Sequence, residues 1–294
     1  MNMEVADIKT NKGIDERCKT CFQKTYNRLF LKYDVGATQR LVFFIFLRDV
    51  LNKYKKMSSP EIQRILNNKF CQIIGVTDPF DDEKDYCNQS ALELYKIWKP
   101  KVLNSENPYD LALRLAIAGN IMDYGANNSF NLNETINDVI HAEFAIDHSF
   151  LLQQKIKQAK KILYLGDNAG EIVFDRLFIE TIMHNQISYA VKGFPVLNDV
   201  TTKDAKDVEM EIVADIISNG FDAPSTILKS CSREFREVFK SADLIISKGQ
   251  GNLEGLIDMQ DPRIFFLLMV KCEVIAEILE VEKGSIVVYN QNNN

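Results

Sequence analysis

Three short polar stretches in the second half of the chain hold the residues best equipped for chemistry. Each follows an apolar run: Gly166-Asp167-Asn168-Ala169-Gly170-Glu171, Lys192-Gly193-Phe194-Pro195-Val196-Leu197-Asn198-Asp199, and Ser247-Lys248-Gly249-Gln250-Gly251-Asn252-Leu253-Glu254. Asp167 and Asp199 offer carboxylates and Asn168 a neutral amide oxygen, a donor set suited to a hard cation such as Mg²⁺ or Mn²⁺ with waters completing the shell. Thiolate or imidazole ligands, which would point to zinc, are not adjacent. Asp167 and Asn168 alone would serve equally well as caps for the helical stretch that follows them. Asp199 and Lys248 on companion loops shift the reading toward metal ligation. Lys248 precedes two glycines, where backbone N–H groups can approach an anion while the ammonium neutralises phosphate oxygens. A lysine at a turn is more commonly just solvated. Asn252 would donate to the same anion or cap a helix beginning near Leu253. Neither the P-loop order nor G-x-G-x-x-G is present in these loops.

These loops gain meaning only if the runs before them are strands of one sheet. From about Glu16 to His148 the pattern is helical. Residues 38–55 place Leu41, Phe44, Ile45, Leu47 and Leu51 at helix-compatible spacings. Ser59 then reads as a cap with Pro60 at the first helical position, and Ile62, Ile65 and Leu66 supply the apolar face. Another helix begins near Pro108 with Leu111, Leu115 and Ile117, and no strand alternation stands out in this half. After Lys160 the texture changes. Strand-like runs at 161–166, 187–191, 211–217, 243–247, 264–270 and 286–289 alternate with helical stretches from Ala169 to about His184, at 231–240 and at 272–280. That alternation predicts βαβ units, a mostly parallel sheet and right-handed crossovers. The expected architecture is α/β: a helical N-terminal domain over residues 1–155 and a three-layer α/β domain over 156–294. Ligands of such sheets bind beyond the carboxyl ends of the strands, where the three loops lie.

Composition narrows the partners. The 294-residue chain is 46% hydrophobic and 26% charged, with a formal charge of −6. No basic face is evident, so nucleic acid is not expected as a partner; a phosphorylated small molecule remains compatible if a metal or lysines reverse the local field. The longest apolar run, 41–47, is far short of the roughly 20 residues that span a bilayer. Residues 1–17 are polar, so no secretory signal and no membrane partner are expected, and the location expected is cytoplasmic. The six cysteines are then expected to be reduced thiols. Cys18-x-x-Cys21 has the spacing of half a zinc site, but Cys71 and Cys87 do not complete a recognised pattern. His141, His148 and His184 lack partner motifs, and Phe43, Phe44 and Phe46 read as core.

Several of these stretches together resemble the DUF89 family, the metal-dependent damage-control phosphatases. The matching pieces are LGDNAGE (165–171), KGFPVLNDVT (192–201) and SKGQGNLEGL (247–256), with DPF followed by Lys84 and Asn88 (78–88) and AGNIMDYG (118–125) in the helical half. Cys18-x-x-Cys21 also matches the branch found largely in prokaryotes. The resemblance spans nearly the whole chain, in order. It implies a helical domain packed on a Rossmann-like three-layer α/β/α domain, and metal ligation by Asp167, Asn168 and Asp199. It implies phosphate contacts from Lys248 and Asn252, with Asn120 and Asp123 facing the same cleft. Lys192 stands where the family more often has arginine, keeping the charge but losing the bidentate fork. The implied activity is hydrolysis of small phosphometabolites, sugar phosphates or phosphopantetheine-like esters, in metabolite damage control. Mn²⁺ is the expected cofactor, with Mg²⁺, Co²⁺ or Ni²⁺ as alternatives. Asp167 and Lys248 are the expected catalytic groups, the nucleophile being either metal-activated water or the Asp167 carboxylate. Two other classes compete: an S-adenosylmethionine-dependent methyltransferase, which would need an acidic residue where Lys192 stands, and a non-catalytic metabolite-binding protein.

Overall fold

A computed structural model of the chain describes residues 14–119, 136 and 140–292. Asn120 and Asp123 lie outside the described residues. The chain divides into two compact units, one up to Val76 and one from Thr77 onward.

The first unit contains helices α1 (Glu16–Lys32), α2 (Ala37–Lys53) and α3 (Ser59–Ile74). Its core is aromatic: Phe43 lies 4.6 Å from Tyr26 and 5.0 Å from Phe30, ring centre to ring centre, and Phe30 lies 5.5 Å from Phe70. The buried residues of α2 are Phe43, Leu47 and Val50, whereas Leu41 and Ile45 are exposed. Periodicity does not select a face within 41–47, where every residue is apolar. The cap of α3 is Ser58, not Ser59. Its backbone N–H and hydroxyl both donate to Glu61 Oε2 at 3.0 Å, which makes Pro60 the second helical residue.

The second unit runs α4 (Asp81–Leu103), α5 (Pro108–Ala118), β1 (Phe144–Asp147), α6 (Ser149–Gln158), β2 (Ile162–Leu165), α7 (Glu171–Ile182), β3 (Ile187–Val191), α8 (Thr202–Asp207), β4 (Asp215–Ser218), α9 (Arg233–Ser241), β5 (Leu244–Lys248), α10 (Gly249–Leu256), β6 (Ile264–Met269), α11 (Glu273–Leu279) and β7 (Ile286–Tyr289). Among the described residues the strands form one seven-stranded sheet in the order β1-β7-β6-β5-β2-β3-β4. Strands β2 to β6 are mutually parallel; β7 is antiparallel to β6 and pairs in parallel with β1.

Alternation along the strands builds the three layers. Ile162, Tyr164, Tyr189, Leu244 and Ile246 face α4, α5, α6 and α7, while Leu163, Leu165, Ile245, Phe266 and Leu268 face α9, α10 and α11. This is the expected Rossmann-like α/β/α arrangement, with two local corrections. Strand β1 falls in the stretch read as helical, because four residues at a sheet edge are too few to display a period. The expected strand over 211–217 is shorter: Glu209 is left-handed (φ 53°), Met210–Ile212 forms a 3₁₀ turn, and β4 begins only at Asp215.

Strand order also locates the site. From β2 the chain moves to β3 on one side, and β5 lies against the other side of β2. That divergence marks the carboxyl ends of β2 and β5 as the place where open α/β sheets bind ligands.

Candidate active site

Strand β2 ends at Leu165, and the chain turns through Gly166 into Asp167 and Asn168. A Cβ at Gly166 would lie 2.6 Å from Tyr189 Oη, so this turn fits closely over the neighbouring strand. The loop after β3 returns to meet it: Asn168 and Asp199 form an isolated antiparallel bridge. Ala169 N donates to Asn198 O at 3.0 Å and Val200 N to Asp167 O at 2.9 Å. Asp199 is presented by a tight turn in which Leu197 is left-handed (φ 48°). The structure therefore brings Asp167, Asn168 and Asp199 together, all buried. Helix α7 takes Gly170 as its N-cap, so neither Asp167 nor Asn168 occupies the capping position.

The electrostatics of this corner favour a cation. Asn168 Nδ2 donates to Asp167 Oδ2 at 2.9 Å and to Glu171 Oε1 at 3.4 Å. Burial, then the Glu171 and Asp199 carboxylates, hold the Asp167 carboxyl well above the usual range, with Lys271 and Lys192 opposing. Asp167 lies over Gly249 (φ +76°), where a Cβ would come within 1.9 Å of Oδ2, so only glycine leaves room for the carboxylate. Two carboxylates and an amide oxygen on a preformed bridge fit a hard divalent ion. Among the described residues no group of three or more His, Cys, Asp or Glu side chains forms a ligand set; here the third donor is an asparagine.

Lys248 closes β5 and is fully buried. Its Nζ donates to Ala116 O at 2.7 Å, Glu171 Oε2 at 2.8 Å and Asp175 Oδ1 at 2.7 Å. Burial pulls its pKa down, but Asp175 and Glu171 outweigh it and raise the value above the ordinary one. Asp175 also accepts from Tyr164 Oη at 2.7 Å and Tyr189 Oη at 2.8 Å. Burial first, and then Asp175, push both phenols upward. Asn252 is not a cap, because α10 begins at Gly249. Its Nδ2 donates to Gly166 O at 3.1 Å and Lys248 O at 2.9 Å, and its Oδ1 accepts from Thr226 Oγ1 at 2.9 Å. Lys192, buried at the end of β3, lies 3.3 Å from both Asp199 Oδ2 and Asn252 Oδ1.

Sequence reasoning gave no role to Glu171, Asp175 or Lys271. The signal for the first two was present: carboxylates four residues apart, set among Ile172, Val173, Phe174, Leu177 and Phe178, share one face and need a buried partner. Lys271 follows β6, in a strand-end loop separate from the three polar stretches, and Gln250 Oε1 accepts from its backbone N at 2.9 Å. Cys18 and Cys21 lie in α1, and neither is in a disulfide.

Comparison with known proteins fits this geometry into a family. The model of the damage-control phosphatase ARMT1-like domain matches residues 14–287. The chain belongs to that family. A damage-control phosphatase from Pyrococcus horikoshii is 33% identical over 93% of this chain and 96% of its own. Another from Archaeoglobus fulgidus is 32% identical over 76% of this chain and 79% of its own. The crystal structure of a DUF89 family protein from Pyrococcus horikoshii superposes with a TM-score of 0.87 at 32% identity, covering 95% of this chain and 99% of that one. Membership gives no support to the methyltransferase reading, and the basic Lys192 stands where that reading needs an acid. No helix among the described residues is long and apolar enough to cross a membrane.

Proposed function

We propose that this chain is a divalent-metal-dependent phosphatase acting on small phosphometabolites, sugar phosphates or phosphopantetheine-like esters, in metabolite damage control. The observation that carries the reading is the bridge between Asn168 and Asp199, which gathers two buried carboxylates and an amide beside Glu171 at the strand ends. Asp167, Asn168 and Asp199 would hold the ion, Mn²⁺ or in its place Mg²⁺, Co²⁺ or Ni²⁺. Such an ion supplies positive charge to a phosphoryl oxygen and to the charge that develops during transfer.

The chain's own groups divide the remaining work. Lys192, buried beside Asp199, supplies an ammonium toward the phosphate, and Lys271 adds positive charge near Asp167. Lys248 has its three N–H bonds committed to Ala116, Glu171 and Asp175, so in this reading it neutralises the carboxylates beneath the site. Asn252 fixes Lys192 and the Gly166 turn. Burial keeps bulk water from Asp167, which strengthens each of these interactions. Water or the Asp167 carboxylate serves as nucleophile; mass spectrometry of quenched turnover mixtures separates them by the phosphoryl mass on the peptide containing Asp167.

A screen of phosphometabolites with Mn²⁺, Mg²⁺, Co²⁺ and Ni²⁺ in parallel tests the proposal. Hydrolysis of p-nitrophenyl phosphate should stop in excess chelator and return when Mn²⁺ is added. Undiminished hydrolysis in chelator would sink the metal-dependent mechanism.

A further inference from the structure

The loops carrying Asp167, Asn168 and Asp199 are also held from the side, by residues of α4 and α8. Asn88 on α4 is 1% exposed. Its Oδ1 accepts from Gly170 N at 2.7 Å, two residues past Asn168. Its Nδ2 donates to Asp204 Oδ1 at 3.0 Å. Asp204 is 0% exposed and turns its other oxygen to Thr201, two residues past Asp199, accepting from Thr201 N at 2.8 Å and Oγ1 at 2.7 Å. Lys84, one helical turn before Asn88, places Nζ 3.6 Å from Asp204 Oδ2 and 2.6 Å from Asp78 Oδ2. One amide plane therefore has its acceptor on the first loop and its donor on the anchor of the second.

We propose that Asn88 is a positioning residue of the metal centre: by bridging Gly170 and Asp204 it fixes the separation between Asp167–Asn168 and Asp199. The inference rests on the metal-binding reading above. An amide suits the task because it accepts at one end and donates at the other from a rigid plane. Aspartate would keep the bond from Gly170 N but turn a second oxygen on Asp204. Alanine would leave a buried N–H and a buried carboxylate oxygen each short of a partner. Lys84, shared between Asp78 and Asp204, offsets part of the charge of Asp204. The same two helices are also tied at the surface by Lys203, which pairs with Asp85, Asp81 and Asp207 while roughly half exposed. That tie touches neither loop and provides an internal control.

The test is calorimetric titration of Mn²⁺ into the metal-free full chain as wild type, Asn88→Ala, Asn88→Asp and Lys203→Ala. Losing such a support weakens metal binding by about 10- to 100-fold, and that loss is expected for both Asn88 variants. The rise in melting temperature on adding Mn²⁺ should shrink with it, while metal-free melting stays cooperative. Lys203→Ala should bind as wild type does. An Asn88 variant that folds and binds Mn²⁺ within about threefold of wild type overturns the proposal but leaves the metal-binding reading intact. An equal loss in Lys203→Ala also overturns it, assigning the effect to general packing. A wild-type chain that binds none of Mn²⁺, Mg²⁺, Co²⁺ or Ni²⁺ overturns both. Should neither Asn88 variant fold, hydrogen exchange on wild type decides. Mn²⁺ should then protect the amides of Gly170 and Thr201 together with those of Asn168 and Asp199; protection confined to Asn168 and Asp199 rejects the clasp.

Discussion

Asn168 and Asp199 meet in an antiparallel bridge although the strands that lead to them, β2 and β3, run parallel. The second loop folds back on itself, so Asp199 approaches Asn168 from the opposite direction. Backbone hydrogen bonds therefore set the spacing of the oxygen donors before any ligand arrives, which is the preorganisation an electrostatic site requires.

The crowding at this bridge gives the first prediction. If Asp167 holds the proposed metal, Asp167→Asn should reduce Mn²⁺-stimulated hydrolysis of p-nitrophenyl phosphate by about 100-fold or more. The metal-free variant should melt no lower than wild type, because burial and the Glu171 and Asp199 carboxylates oppose ionisation of Asp167. Paired rate and calorimetric measurements check both halves, and a marked loss of metal-free stability would contradict the second.

Lys248 gives a prediction that separates counter-ion from phosphate contact. Lys248→Met leaves Glu171 and Asp175 facing each other in the interior, which should destabilise the chain by about 3–5 kcal/mol. Adding Glu171→Gln and Asp175→Asn to the same chain should restore much of that loss. Denaturant unfolding of the single and triple variants decides it. A single variant with wild-type stability and impaired turnover would return Lys248 to the phosphate.

Gly249 should tolerate no side chain. Its φ of +76° and the Asp167 carboxylate 1.9 Å from a Cβ mean that Gly249→Ala must displace Asp167. Mn²⁺ affinity should fall by about tenfold or more, as expected for a disturbed ligand support. Gly36→Ala, with nothing within 4 Å of its Cβ, should leave affinity unchanged.

The thiols should differ sharply in reactivity. Burial pushes the Cys231 thiol up to about 11 against the opposition of Lys192 and Arg236, whereas Cys21 is exposed. Iodoacetamide at pH 8.5 should therefore consume Cys21 and spare Cys231 until the chain unfolds, as peptide mass mapping would show. Because the folded state favours the neutral thiol, its contribution to stability is complete below the ordinary thiol range and lost as pH rises through about 11. Cys231→Ala should accordingly lose less stability than wild type between pH 9 and 11, the window set by that shift.

The sequence alone determined the alternation of strands and helices after Lys160, the three-layer architecture, and the strand-end position of Asp167, Asn168, Asp199 and Lys248. Those features are local: apolar runs, glycines and polar loop residues state them within a few positions. The partners of Lys248 were not local. Ala116 lies 132 residues away, and only the packing of α5 and α7 over β5 brings its carbonyl, Glu171 and Asp175 to one ammonium. The buried face of α2 was equally open, because Leu41, Phe43, Ile45 and Leu47 are all apolar and burial depends on what packs against them. The short edge strand β1 needed β7 as its template. Asn88 read as one member of a motif; its acceptor facing Gly170 and its donor facing Asp204 came from the tertiary structure, because a side chain with two polar ends acquires a role only when both ends find partners.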